Sequence, residues 1–148
     1  MRIHSMAGHL IRRLNQISTQ IFASHMQRNG LDLTPVQFAA METVAAFPGI
    51  DQAGVAAQIA YDRATIGGVI DRLEQKGLVA REVNPKDRRA RVLRLTKAGA
   101  GLLDRIRPVV AALQDEILAE LQPDERAVFL DLARKSIGGK PEPQGDRQ

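Results

Sequence analysis

The sequence predicts a mainly α-helical chain carrying one small β-hairpin, and three observations predict it. Apolar residues recur at spacings of three and four along most of its length, the period of an amphipathic helix. After Gly77 the period becomes two-fold, so that Leu78-Val79-Ala80-Arg81 reads as one strand and Val92-Leu93-Arg94-Leu95 as its partner. Between these runs the charge is concentrated. From Arg81 to Lys97 seven Lys or Arg stand against only Glu82 and Asp87, giving +5, while all other residues sum to −1 of the formal +4.

Ile3, Met6, Leu10, Leu14, Ile17 and Ile21 mark a first helix from Ile3 to Met26, ended by the turn-tolerant pair Asn29-Gly30. Thr34 caps a second helix with Pro35 at its first position, running through Phe47 until Pro48-Gly49 stops it. An alanine-rich third helix is expected from Asp51 to Ala60. Asp62 caps a fourth from Arg63 to Lys76, with Ile66, Val69, Ile70 and Leu73 on its buried stripe and Gly77 beyond its end. Asn84-Pro85 opens a connection that reads as too long for a tight turn, so the cations are expected on the tip of a protruding loop. Thr96 caps a long helix from Lys97 to about Leu121, in which Pro108 predicts a kink. Gln122-Pro123 opens a last helix, amphipathic through Val128, Phe129, Leu132 and Ile137. Residues 138–148 have nothing apolar to bury and are expected to be disordered.

A chain of 148 residues is about one domain long. The absence of cysteine excludes disulfides, thiolate metal sites, cysteine nucleophiles and thiol redox sensing. Neither a run of eighteen apolar residues nor a signal-peptide core is present, so the chain is expected to be soluble, unprocessed and cytoplasmic, with no membrane partner. There is no HExxH, nucleophile elbow or phosphate-cradling glycine loop, which argues against an enzyme and calls for no cofactor. His4, His9 and His25 have no carboxylate at metal-ligand spacing, so no metal site is expected.

Clustered cations suit a polyanion, because neutralising phosphates releases counterions. Taken alone the same run is equally a solvated loop. Two short helices followed by a hairpin match a winged helix-turn-helix over residues 31–96, whose second helix enters a major groove while the hairpin reaches the adjacent backbone or minor groove. The flanking helices, in residues 1–30 and 97–137, then pair with each other and with a second copy. Arg63, Ala64, Thr65, Gly67 and Gly68 lie on the solvent side of the fourth helix, where base edges are read. A glycine inside a helix costs about 1 kcal/mol relative to alanine, so Gly67 and Gly68 need a reason. Close approach to DNA and tight helix packing would each supply one. Arg72 reaches phosphate or holds the hairpin, and Asp71 is assigned the structural part. On the hairpin, Lys86, Arg88, Arg89 and Arg91 are the candidates for phosphates or a narrow minor groove. Asp87, an acid that DNA would repel, is expected to orient a neighbouring arginine by a charge-assisted hydrogen bond.

LTPVQFAAM from Leu33, IDRLEQKGLVAR from Ile70 and DRRARVLRLTKAG from Asp87 together resemble the MarR family of bacterial transcription regulators, over about Leu10 to Ile137. The resemblance implies an obligate homodimer joined through the terminal helices, bound to a pseudo-palindromic double-stranded DNA operator and released by a small ligand or another signal. It also implies a ligand cleft between the dimerisation helices and the winged part. His9, Arg13 and Gln16, spaced four and three apart, share a helix face. That face is either a plain polar surface or an anion-recognising set directed into the cleft, with Phe38 and Met41 as apolar wall for an aromatic carboxylate, unless those two pack in the core, the commoner fate of such residues. The function expected is a ligand-responsive repressor of a catabolic or efflux operon. The competing readings are a constitutive architectural DNA binder and a module whose basic hairpin meets an acidic partner.

Overall fold

The computed structural model describes residues 2–59 and 62–139, so the expected disorder of residues 140–148 lies outside the described residues. A single 3-10 turn, Ile3–Ser5, precedes α1, Ala7–Arg28. The first helix thus starts later than its apolar period suggests. Met6 is extended (φ −91°, ψ 125°), and Ser5 and Gly8 on either side are weak helix formers. In α2, Pro35–Ala46, Thr34 accepts the Gln37 N–H while the Gln37 side chain accepts the Thr34 N–H, a reciprocal cap that fixes the helix start. Asp51 caps α3, Gln52–Gln58, which Ile59 ends, shorter than expected. Asp62 caps α4, Arg63–Gln75, and Gly77 at φ +72° turns the chain out of it.

The hairpin differs from its sequence reading. Strand β1, Val79–Asn84, and β2, Asp87–Leu95, pair antiparallel almost to the end, leaving only Pro85 and Lys86 at the turn. There is no long loop. The ladder accommodates the extra length inside β2: Val83 pairs with Arg91 and Asn84 with Asp87, which leaves Arg88, Arg89 and Ala90 in an irregularity beside the Val83–Asn84 bond. Such a bulge bends its strand and re-aims its side chains. At the base, Gly49 N–H donates to Leu93 O (3.0 Å) and Leu93 N–H to Ile50 O (2.8 Å), so the α2–α3 connection pairs with the outer edge of β2.

Helix α5, Lys97–Ile117, runs through Pro108 as one element, and α6 spans Pro123–Ser136. The first turn of α5 presses on the entry to β1. A Cβ on Gly99 would lie 2.0 Å from the Leu78 carbonyl oxygen, so no other residue fits there without moving the backbone. Thr96 clamps the same corner, its hydroxyl donating to Gly77 O at 2.6 Å.

Ile66, Ile70 and Leu73 of α4 are fully buried among Met41 and Val44 of α2, Val55 of α3, Val79 and Leu93 of the hairpin, and Leu103 and Ile106 of α5. This core holds α4 and the hairpin to one scaffold. The terminal helices are different. α1 buries only Phe22 and Met26, and α6 buries nothing, leaving Val128, Leu132 and Ile137 exposed. Among the described residues no helix is long and apolar enough to cross a membrane.

Candidate nucleic-acid interface

The α4 N-terminus is fixed by Asp62. One carboxylate oxygen accepts the Thr65 N–H at 2.7 Å and the other the Thr65 hydroxyl at 2.8 Å. These bonds, the backbone one first, hold the Asp62 carboxyl below its ordinary range. Because the Thr65 proton is directed at Asp62, the exposed hydroxyl oxygen is left as an acceptor. Arg63, Ala64, Thr65, Gly68 and Arg72 are all exposed, and neither Arg63 nor Arg72 makes an ion pair among the described residues.

The two glycines separate. A Cβ on Gly67 would lie 3.1 Å from Gln52 Nε2, so Gly67 gives room to a side chain of α3. A Cβ on Gly68 would meet nothing within 4 Å. Packing explains the first glycine, and nothing inside the chain explains the second.

On the hairpin, Lys86, Arg88, Arg89 and Arg91 are exposed and make no ion pair among the described residues. Asp87 does not orient a guanidinium as expected. Its Oδ1 accepts the backbone N–H of Arg89 at 3.0 Å, and Asn84 does the same for Lys86. Short polar side chains close local turns in this way, so Asp87 shapes the opening of β2 and leaves the arginine side chains unengaged.

The base of the hairpin is paired throughout. Arg94 Nε meets Glu82 Oε2 at 3.2 Å across the strands. Arg81 turns to the other side, where its Nη1 meets Asp71 Oδ1 at 2.6 Å and Glu74 Oε1 at 3.4 Å, and its Nη2 donates to Gln52 Oε1 at 3.1 Å. Asp71 therefore holds the hairpin, as its sequence position suggested. Arg81 and Gln52 themselves were not legible, because ten residues across a helix–strand turn is no recognisable spacing.

The expected ligand set is not assembled within one chain. His9 bonds Arg12 (2.9 Å) and Arg13 donates to Gln16 (3.2 Å), all on the outer face of α1. Met41 is fully buried in the core of the single chain. Phe38 packs against Phe22, ring centroids 6.2 Å apart, and His9 precedes Phe22 by thirteen residues, about 20 Å of helix. A cleft of about 430 Å³ does open elsewhere, between the end of α2, the base of β2 and the start of α5. Its cations are already engaged, Arg94 by Glu82 and Arg107 by Glu42 (2.7 Å) and Asp104 (2.9 Å). Hydrogen bonding to Glu42 raises the Arg107 pKa further.

A capped helix with an exposed N-terminal face, flanked by a hairpin with an unpaired cationic tip, defines a winged helix-turn-helix DNA-binding protein. The family model described as "MarR family" matches residues 31–90. The chain is 33% identical to the transcriptional regulator HosA of Escherichia coli O111:H- over 137 residues, 93% of this chain and 98% of that protein. It therefore belongs to the MarR family of transcription regulators. The structure of PcaV from Streptomyces coelicolor with its natural ligand matches at TM-score 0.84 and 33% identity, covering 93% of this chain and 96% of that one. BpsR of Bordetella bronchiseptica, whose DNA binding is regulated by 6-hydroxynicotinic acid, matches at TM-score 0.86 and 28% identity, covering 95% and 99%.

Proposed function

We propose that this chain is a dimeric cytoplasmic repressor that acts by binding, without catalysis, and that a small aromatic carboxylate releases it from a pseudo-palindromic operator. The observation that carries the DNA reading is the unpaired tip: Lys86, Arg88, Arg89 and Arg91 are exposed without an ion pair among the described residues, and Arg63, Ala64, Thr65, Gly68 and Arg72 are exposed on α4. Unpaired cations on one surface bind phosphate by releasing counterions, and the helix face supplies the base readout.

Residues 31–96 form the DNA-reading part in this proposal, and the helices of residues 1–30 and 97–137 form the dimer. Ile3, Met6, Leu10, Ile11, Leu14 and Ile17 on one terminal segment and Val128, Leu130, Leu132 and Ile137 on the other are exposed, and clustering of such apolar side chains on two helices suits burial against a second copy. A second copy covering these faces would also complete the effector site. His9, Arg13 and Gln16 project from the half of α1 that has little to pack on in one chain. An arginine fork suits a planar carboxylate, and the acid that regulates BpsR has that chemistry.

A release assay tests the proposal. DNA selected from a random pool should bind the wild-type dimer in a sequence-dependent way and dissociate on addition of an aromatic acid such as 6-hydroxynicotinate or a hydroxybenzoate. Arg13→Ala should still bind the DNA and no longer release it. Unchanged effector potency in that variant removes the α1 site. Absence of release by every acid tested favours the constitutive binder.

A further inference from the structure

We infer that Arg81 is a positioning residue for operator recognition, setting the recognition helix relative to the hairpin without itself touching DNA. The inference rests on the DNA-binding reading above. Reading an operator needs two surfaces in one register: the exposed face of α4 and the tip of the β1–β2 hairpin. The chain connects them through the Gly77 corner, where φ is +72°. The apolar core joins only their inner faces.

Arg81 extends that join past the core, from the same face of β1 as Val79 and opposite Leu93. It leaves β1 two residues beyond the buried Val79, and its side chain is 23% exposed. Its guanidinium reaches three partners on two helices: Asp71 (2.6 Å) and Glu74 (3.4 Å), one turn apart on α4, and Gln52 Oε1 (3.1 Å) on α3. Gln52 continues the link. Its Nε2 lies 3.5 Å from the Arg63 carbonyl oxygen and 3.1 Å from where a Gly67 Cβ would stand, so it rests on the first turns of α4. One flank of α4, the stripe of Arg63, Gly67, Asp71 and Glu74 beside its exposed face, is thus held from strand and helix at once. A planar fork can satisfy carboxylates and an amide together, whereas a lysine ammonium on a flexible stem does not fix the three in one geometry. With two carboxylates on its guanidinium, Arg81 has no free charge to offer a phosphate.

The two possible roles separate in binding experiments on the full-length dimer. Operator affinity, affinity for a scrambled duplex, and the salt slope of each are measured for wild type, Arg81→Lys, Arg81→Met and Gln52→Leu, with thermal unfolding alongside. Arg81→Lys should lower the operator-to-scrambled ratio by roughly tenfold, about the discrimination of one good base contact, while the salt slope and the unfolding midpoint stay near wild type. Gln52→Leu should show the same pattern to a smaller degree, and it carries the test if Arg81→Met does not fold. A wild-type ratio in Arg81→Lys would show that only charge neutralisation is needed and would overturn the inference. So would a salt slope shallower by about one unit in Arg81→Met, the mark of a direct phosphate contact. A wild-type protein with no operator preference would instead refute the DNA-binding reading itself.

Discussion

The hairpin carries arginine at both ends, and the two ends have opposite electrostatic fates. At the base, Arg94 lies on the diagonal from Glu82 across the ladder and Arg81 is held by Asp71 and Glu74, so both guanidinium charges are answered within the chain. At the tip, Lys86, Arg88, Arg89 and Arg91 have no carboxylate partner among the described residues, and the only nearby acid, Asp87, accepts a backbone N–H. A count of cations along this segment mixes the two populations. What distinguishes a DNA contact from a structural clamp is the partner each guanidinium finds in three dimensions, and residue type does not reveal it.

The strongest way to break the comparison is to remove the tip. Arg88→Ala with Arg89→Ala should lower operator affinity on the order of 100-fold at moderate salt and flatten the plot of log K against log salt by about two units. Unfolding should shift by no more than about 0.5 kcal/mol, since both side chains are exposed. Fluorescence anisotropy across a salt series reads the first result and denaturant melts the second.

Gly68→Ala sharpens the distinction between fold and function on α4. A methyl group there meets nothing, so helix propensity should stabilise the protein by about 0.5–1 kcal/mol. Operator affinity should fall several-fold if the backbone approaches DNA at that point. Gly67→Ala must displace Gln52 and should lack the gain in stability.

Asp62→Ala removes the cap of α4 and should lower the unfolding midpoint by a few degrees. The effect depends on pH. A carboxyl whose folded pKa lies below its ordinary value of 3.8 contributes stability above that value and loses it as pH falls through the folded pKa. Wild type and Asp62→Ala should therefore differ most near neutrality and converge in acid, which thermal melts between pH 7 and pH 2 would follow.

The smallest effect belongs to Arg94. Arg94→Ala breaks a pair whose partners are each about half exposed, Arg94 49% and Glu82 54%, and should cost only a few tenths of a kcal/mol. Its salt slope should match wild type. A slope that falls with Arg94 as it does with Arg89 would mean the two ends of the hairpin are not distinct.

Much of the frame was determined by local chemistry. Thr34, Asp51, Asp62 and Thr96 cap helices because a side-chain oxygen can answer an orphan N–H wherever it stands before a helical run, and that relation is written in adjacent residues. The same holds for Gly77 and for the alternation at the base of the hairpin. Tertiary structure decided what adjacency cannot encode. It continued β1 and β2 to a two-residue turn and put Arg88 and Arg89 in an irregular stretch, because strand pairing extends as far as partners allow. It placed Met41 wholly in the core, since helical period marks an apolar face without saying whether core or cleft covers it. It gave Gly67 to Gln52 and left Gly68 open, though the two are neighbours in the same helix. It also paired Arg81 and Arg94 while leaving Arg88 and Arg89 bare, because a charge is neutralised by whatever the fold brings within about 4 Å, however distant in sequence.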